Sequence, residues 1–316
     1  MSMGPSRRDF LVRTSTLVAL SSVGAIRPTW AQNAPIAETT FGRVRGGEKD
    51  GIKFFKGIPY AASTAGKNRF MPPQDPPKWT GVRDALDYAA RAPQAQPRAA
   101  GVGDAQGATP GQMESEDCLS LNVWTPALDG GQRPVIMWCH GGGFNTGSGA
   151  APVNDGTRLA LRGDIVSVTT NHRLNVLGYT YWGEVLGKSF EQTGALGVQD
   201  LVHALKWIKR NIANFGGDPN NVTIFGQSGG GGKVCALLAM PCARGLFHKA
   251  IVQSGASVRF AERDRTARLA DAVLRHLDIA PGNLAALQEL PLETLQTAVG
   301  PAQATLPKPE IGRAHV

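Results

Sequence analysis

Apolar residues along this chain follow two alternating rhythms. Short, nearly continuous runs of β-branched and other apolar residues read as buried strands: Leu119 to Trp124, Pro134 to Cys139, Ile165 to Thr169, Val222 to Phe225 and Ala250 to Gln253. Between them lie segments with a 3.6-residue period. The clearest runs from Leu196 to Ala213, where Val198, Leu201, Leu205, Ile208 and Ile212 share one face. Thr157 to Leu161 and Lys233 to Met240 read as shorter helices. Upstream, Phe41 to Arg45 and Ile52 to Ile58 read as two strands joined by a Gly-rich turn, and Pro72 to Pro77 as a stiff loop. Ala92 to Gln112 is rich in Ala, Gly, Pro and Gln and holds no aromatic residue, which predicts a long mobile loop. After Gln253 the pattern is helical only, over Arg263 to Leu277, Leu284 to Glu289 and Leu292 to Val299. Buried strands alternating with amphipathic helices predict an α/β fold, a mostly parallel central sheet flanked by helices. The sheet is expected to be incomplete at its C-terminal end.

Composition narrows this picture only modestly. At 316 residues the chain can bury about 75% of its unfolded surface without disulfide staples. Glycine (39) and proline (21) are abundant, which suits a loop-rich enzyme better than a helical bundle. Of the net charge of +8, residues 1–31 carry +3 (four Arg against one Asp), and the rest comes from scattered basic residues, such as Lys206, Lys209 and Arg210 on one helix. No aromatic–basic interleaving accompanies them, so they read as a solvated face and not as a nucleic-acid surface. Four cysteines, Cys118, Cys139, Cys235 and Cys242, leave three full pairings open. Cys139 lies in an apolar strand and reads as buried, whereas Cys235 and Cys242 could bridge. No His/Cys spacing suggests a metal.

Residues 1–31 have the features of a cleavable leader. Arg7-Arg8 is followed by Asp9-Phe10-Leu11, a twin-arginine pattern. A modest apolar stretch runs from Leu17 to Ile26, and Thr29-Trp30-Ala31 offers a cleavage site after Ala31. The apolar run is far below the ~20 residues of a membrane span, so no membrane anchor is expected after cleavage. The alternative is an uncleaved N-terminal helix. A twin-arginine leader implies the Tat translocase as a partner during export and a periplasmic or secreted destination. Residues 32–309 then form the folded part. Glu310 to Val316 continues no element and reads as a non-native tail, matching one translated frame of a sequencing adapter.

Two glycine-rich motifs carry the candidate chemistry. Gly226-Gln227-Ser228-Gly229-Gly230 follows the strand Val222 to Phe225 and opens onto a helix. A G-x-S-x-G in that context predicts a nucleophile elbow, with Ser228 standing clear of the sheet. His140-Gly141-Gly142-Gly143-Phe144 follows the strand Pro134 to Cys139. Consecutive glycines there let backbone N–H groups approach a substrate oxygen. The glycines of this loop, with the N–H of Gly229, therefore read as an oxyanion hole. A phosphate-binding reading of Gly229 to Lys233 fails twice: a Walker loop would need glycine at Gln227 and Ser or Thr at Val234. No G-x-G-x-x-G motif supports a dinucleotide either.

The run Phe215-Gly216-Gly217-Asp218-Pro219 through Gly226-Gln227-Ser228-Gly229-Gly230 resembles the type-B carboxylesterase signature. Glu116 to Trp124 is similar to the second signature of that family, and Asn171-His172-Arg173-Leu174 and Gly245 to Ile251 match its usual runs. The resemblance covers Phe41 to Val299. It implies an α/β-hydrolase fold and hydrolysis of a small-molecule carboxylic ester without a cofactor. Ser228 would be the nucleophile, and Gly142, Gly143 and Gly229 the oxyanion donors. It also implies a structural ion pair between Arg69 and Glu116. Four departures stand out. Gly229 replaces the usual alanine, which is expected to loosen the elbow. Cys118 lacks the upstream cysteine that pairs with it in many relatives. Ala108 stands where cholinesterases carry a choline-binding tryptophan. The fourth departure concerns the triad.

The α/β-hydrolase order places an acid and then a histidine after the serine. Candidate acids by type are Glu262, Asp264, Asp271, Asp278, Glu289, Glu293 and Glu310. Candidate bases are His248, in a structural run of the family, His276, in mid-helix, and His315, in the tail. Chain order excludes His140, His172 and His203, although His140 is expected to border the oxyanion loop. The expectation is that both partners lie beyond Val316 and that the acid is a glutamate. The rival class is a non-catalytic binding or adhesion module on the same fold; such relatives commonly lose the serine, which is kept here.

Overall fold

The computed structural model describes residues 34–94 and 112–307. The leader, nearly all of the 92–112 loop, Ala108, and the tail with Glu310 and His315 lie outside the described residues.

Among the described residues, ten strands and eight α-helices follow in chain order. The strands are β1 (Ile36–Thr39), β2 (Gly42–Arg45), β3 (Gly47–Lys49), β4 (Ile52–Pro59), β5 (Val82–Asp84), β6 (Ser120–Thr125), β7 (Arg133–Cys139), β8 (Val166–Thr170), β9 (Gly217–Gln227) and β10 (Lys249–Gln253). The helices are α1 (Thr157–Gly163), α2 (Asn175–Tyr179), α3 (Gly183–Leu186), α4 (Leu196–Asn211), α5 (Gly229–Ala239), α6 (Arg263–His276), α7 (Leu284–Glu289) and α8 (Leu292–Ala304). Seven strands form one sheet in the order β10-β9-β7-β8-β6-β4-β3, and β1-β2-β5 form a small second sheet.

The expected parallel pairing holds in the half of the large sheet that carries the glycine motifs. There β8, β7, β9 and β10 run parallel, because helical crossovers link them in sequence: α1 between β7 and β8, α4 between β8 and β9, α5 between β9 and β10. In the other half β3, β4 and β6 pair antiparallel, with β6 antiparallel to β8. The early strands also differ from their reading. The turn between Arg45 and Ile52 contains β3 and a two-residue hairpin, Asp50-Gly51, both at positive φ (55° and 76°). That is the Asp-Gly pair a type I′ turn requires. The chain passes from the small sheet to the large one at Gly46, between β2 and β3.

The main core lies between the large sheet and α4. Val198, Leu201, Leu205, Ile208 and Ile212 are all buried, as the helical period predicts. A second cluster gathers α6, α7 and α8 around Phe70, Trp182 and Phe190. Arg69 and Glu116, read as an ion pair, are joined by two hydrogen bonds of 2.8 and 2.6 Å in a buried setting. The same guanidinium donates to the carbonyls of Leu287 and Leu290, both at 2.8 Å. It thereby satisfies the end of α7, where carbonyls lack intrahelical donors. All four cysteines are free thiols, with Cys139 buried as expected and Cys235 and Cys242 unbridged.

Candidate active site

Both glycine motifs leave the sheet side by side. Cys139 at the end of β7 pairs in register with Gly226 near the end of β9. The His140–Phe144 loop and the Gln227–Ser228 turn therefore emerge from neighbouring parallel strands at their carboxyl ends, where open α/β sheets place their ligands.

Ser228 adopts φ 57° and ψ −125°, a region that non-glycine residues seldom occupy. The turn persists because its surroundings over-determine it. Ser228 N–H donates to the Gln253 carbonyl of β10 at 2.8 Å, and Gly232 N–H donates to the Ser228 carbonyl at 3.1 Å. A Cβ on Gly226 would stand 2.5 Å from the Gly230 carbonyl group, so the two outer glycines of the motif are packed against each other. Ser228 is half-buried. Its hydroxyl has no hydrogen-bond partner among the described residues.

The helix after the serine begins at Gly229, not at Lys233 as its propensity suggests. Glycine is a poor helix former, but here close packing demands it. A Cβ on Gly229 would stand 2.6 Å from the Gly143 carbonyl carbon and nearer still to its Cα and oxygen. Gly229 therefore does not loosen the elbow. It admits the backbone of the His140–Phe144 loop into direct contact with it.

The N–H groups of Gly142, Gly143 and Gly229 donate to no protein acceptor among the described residues. The carbonyl of each donor's own peptide unit, by contrast, is held. The Gly141 carbonyl meets His140 Nδ1 at 2.9 Å. The Gly142 carbonyl accepts from Thr146 N at 3.1 Å and from Thr146 Oγ1 at 3.2 Å. The Ser228 carbonyl accepts from Gly232. Hydrogen bonding at the carbonyl fixes each peptide plane and polarises its N–H. Gly142 and Gly143 sit at φ 86° and 64°, which a side chain would oppose. At the far end of the loop the Phe144 carbonyl accepts from Asn175 N at 2.7 Å.

His140 is buried and borders this loop, as expected. Burial, assisted by Lys233, pushes its imidazole down to about 3. The ring is therefore neutral at pH 7, and its Nδ1 carries the proton donated to Gly141. It stacks on His172 with ring centroids 4.4 Å apart. Burial also holds His172 well below its usual range, with Lys233 and His140 adding to the effect.

Among the described residues, the candidate bases and acids after the serine make no hydrogen bond to it. His248 is exposed, and its Nδ1 accepts from Val222 N at 3.1 Å, tying β9 to the start of β10. His276 is exposed at the end of α6. Asp271 pairs with Arg275 at 2.7 Å, and Glu262, Asp264, Asp278, Glu289 and Glu293 are exposed. Among the described residues none of them hydrogen-bonds to Ser228.

Sequence reasoning passed over several residues that shape the site. Thr146 and Asn175 hold the loop but belong to no motif. Arg173 and Asp200 form a fully buried bidentate pair at 2.9 and 2.6 Å. They lock the segment after β8 to α4 from 27 positions apart. Lys233 is the lone charge in an otherwise apolar helix and received no role beyond the rejected phosphate-binding motif. An apolar cavity of about 620 Å³ shares Phe144 with the His140–Phe144 loop and is lined also by Tyr179, Ala236, Met240 and Phe260.

A strained serine turn after one parallel strand, beside a glycine loop after the next, defines an α/β-hydrolase. The chain belongs to the carboxylesterase family, whose model matches residues 33–299. Para-nitrobenzyl esterase of Bacillus subtilis (strain 168) is 40% identical over 265 residues, covering 83% of this chain and 52% of that protein. Phenmedipham hydrolase of Pseudarthrobacter oxydans is 43% identical over 265 residues, covering 83% and 51%. A crystal structure of a Geobacillus stearothermophilus carboxylesterase superposes with a TM-score of 0.77 at 42% identity, covering 84% of this chain and 52% of that one. The chain thus spans about half the length of the curated relatives it matches.

Proposed function

We propose that this protein contributes the nucleophile and the oxyanion hole of an esterase acting on small-molecule carboxylic esters. Ser228 Oγ attacks the acyl carbon and gives its proton to a general base. The carbonyl oxygen becomes an oxyanion that accepts from Gly142, Gly143 and Gly229. Collapse expels the alcohol, which takes up the proton, and leaves an acyl-enzyme; water then releases the acid by the reverse sequence. The observation that carries this reading is the set of three free N–H donors, each with its peptide carbonyl tied, beside a strained and accessible serine.

The acid and the base are supplied by chain beyond Val316 in a longer gene product, since no carboxylate or imidazole among the described residues reaches Ser228. Residues 1–316 alone then turn over little ester, because an unassisted serine is a poor nucleophile. The product is exported by the Tat translocase to the periplasm or beyond, a reading supported by Arg7-Arg8 and Ala31.

The longer gene product should hydrolyse short-chain p-nitrophenyl esters and be labelled by a fluorophosphonate. Ser228→Ala should abolish both. Retained turnover in that variant would overturn the assignment, and vigorous turnover by residues 32–316 would overturn the placement of the acid and base.

A further inference from the structure

Lys233 is fully buried on α5, among glycine, alanine, valine, cysteine and leucine. A buried amine is costly unless it is well paired, and a methionine of similar shape would fill the space without that cost. Burial pushes its Nζ down to about 7, with Cys139 acting weakly in the opposite direction. The group can donate a hydrogen bond whether charged or neutral.

Its two partners are the ends of the oxyanion loop. Nζ donates to the His140 carbonyl at 3.0 Å and lies 5.5 Å from the centre of the Phe144 ring, over its face. Phe144 is also held through its own carbonyl by Asn175. The His140 carbonyl has no other donor among the described residues. Between these ends lie Gly141, Gly142 and Gly143, two of them at positive φ. Glycines lose the most conformational freedom when ordered, so a loop built from them needs fixed ends to hold its N–H groups in place.

We infer that Lys233 is a positioning residue for the oxyanion hole, clamping the His140 and Phe144 ends of the loop so that the Gly142 and Gly143 N–H groups stay aimed beside Ser228. This rests on the esterase reading above, but the loop clamp can be tested without it.

Lys233→Met keeps the bulk and removes the donor. Amide hydrogen exchange on residues 1–316 should show residues 141–147 exchanging about tenfold faster or more, with the strands of the sheet unchanged. In the longer gene product kcat should fall roughly 10- to 100-fold with KM little changed, since the loss falls on the oxyanion and not on ester binding. Unchanged loop exchange would overturn the clamp. So would exchange that rises equally throughout the sheet, or a variant that fails to fold, because each places the role of Lys233 in the core. If the wild-type product hydrolyses no ester while loop protection is still lost in the variant, the clamp stands and the esterase reading falls.

Discussion

Gly229→Ala restores the residue that relatives usually carry after the nucleophile, and it should cripple this protein. The added Cβ would stand 2.6 Å from the Gly143 carbonyl carbon, where ordinary contact begins at 3.4 Å. The obstacle is backbone on both sides, so no flexible side chain can swing away. Gly143 must retreat by about 1 Å, or the elbow must turn by a comparable amount. An N–H···O contact of about 2.9 Å would stretch to nearly 4 Å, beyond hydrogen-bonding range. Losing one oxyanion donor costs about 10²–10³ in kcat, or roughly 2.7–4 kcal/mol of transition-state stabilisation. Overpacking of this kind also costs about 1–3 kcal/mol of stability. The assay is p-nitrophenyl acetate hydrolysis by the longer gene product proposed above, with a thermal melt to verify folding. A variant that is folded and within about twofold of wild-type kcat would refute the argument that this loop sits closer to its elbow than an alanine allows.

The Arg173–Asp200 pair gives a stability prediction. Asp200→Ala leaves a buried guanidinium whose remaining partner is the Met71 carbonyl at 2.6 Å, and should destabilise the fold by about 3–5 kcal/mol in urea denaturation. A loss below about 1 kcal/mol would show that the pair is hydrated in solution. Acid should weaken the protein through His140 and His172. The His140 value of about 3 in the folded chain lies below its ordinary 6.5. The unfolded chain therefore takes up the proton first, and stability present above pH 6.5 is lost as pH falls toward about 3. The His140 contribution is at most about 5 kcal/mol across that window. His172 acts in the same direction. NMR of the imidazole resonances should show neither ring titrating between about pH 8 and pH 5; a midpoint near 6.5 for either would mean that water reaches the stack.

Much of the site was legible because its signals are local. Glycines after a buried strand mark a turn, and a serine among them in strand–turn–helix context marks an elbow; each inference needs about a dozen residues. The apolar face of α4 was legible for the same reason. Less visible were the antiparallel half of the sheet and the small sheet of β1, β2 and β5, whose strands are only three or four residues long. The start of α5 was missed because four glycines oppose a helix by propensity, and only the backbone packed against Gly229, Gly230 and Gly231 explains the first three.

The amino-acid pattern alone determined that the chain holds a serine on a tight turn, a glycine loop able to present N–H groups, and an amphipathic α4 to cover the sheet. Only the tertiary structure decided that Cys139 lies in register with Gly226. That pairing sets the two loops side by side, packs Gly143 against Gly229 and buries Lys233 beneath them. Periodicity and turn chemistry are written within a few residues, whereas strand order and register depend on how distant segments share one core.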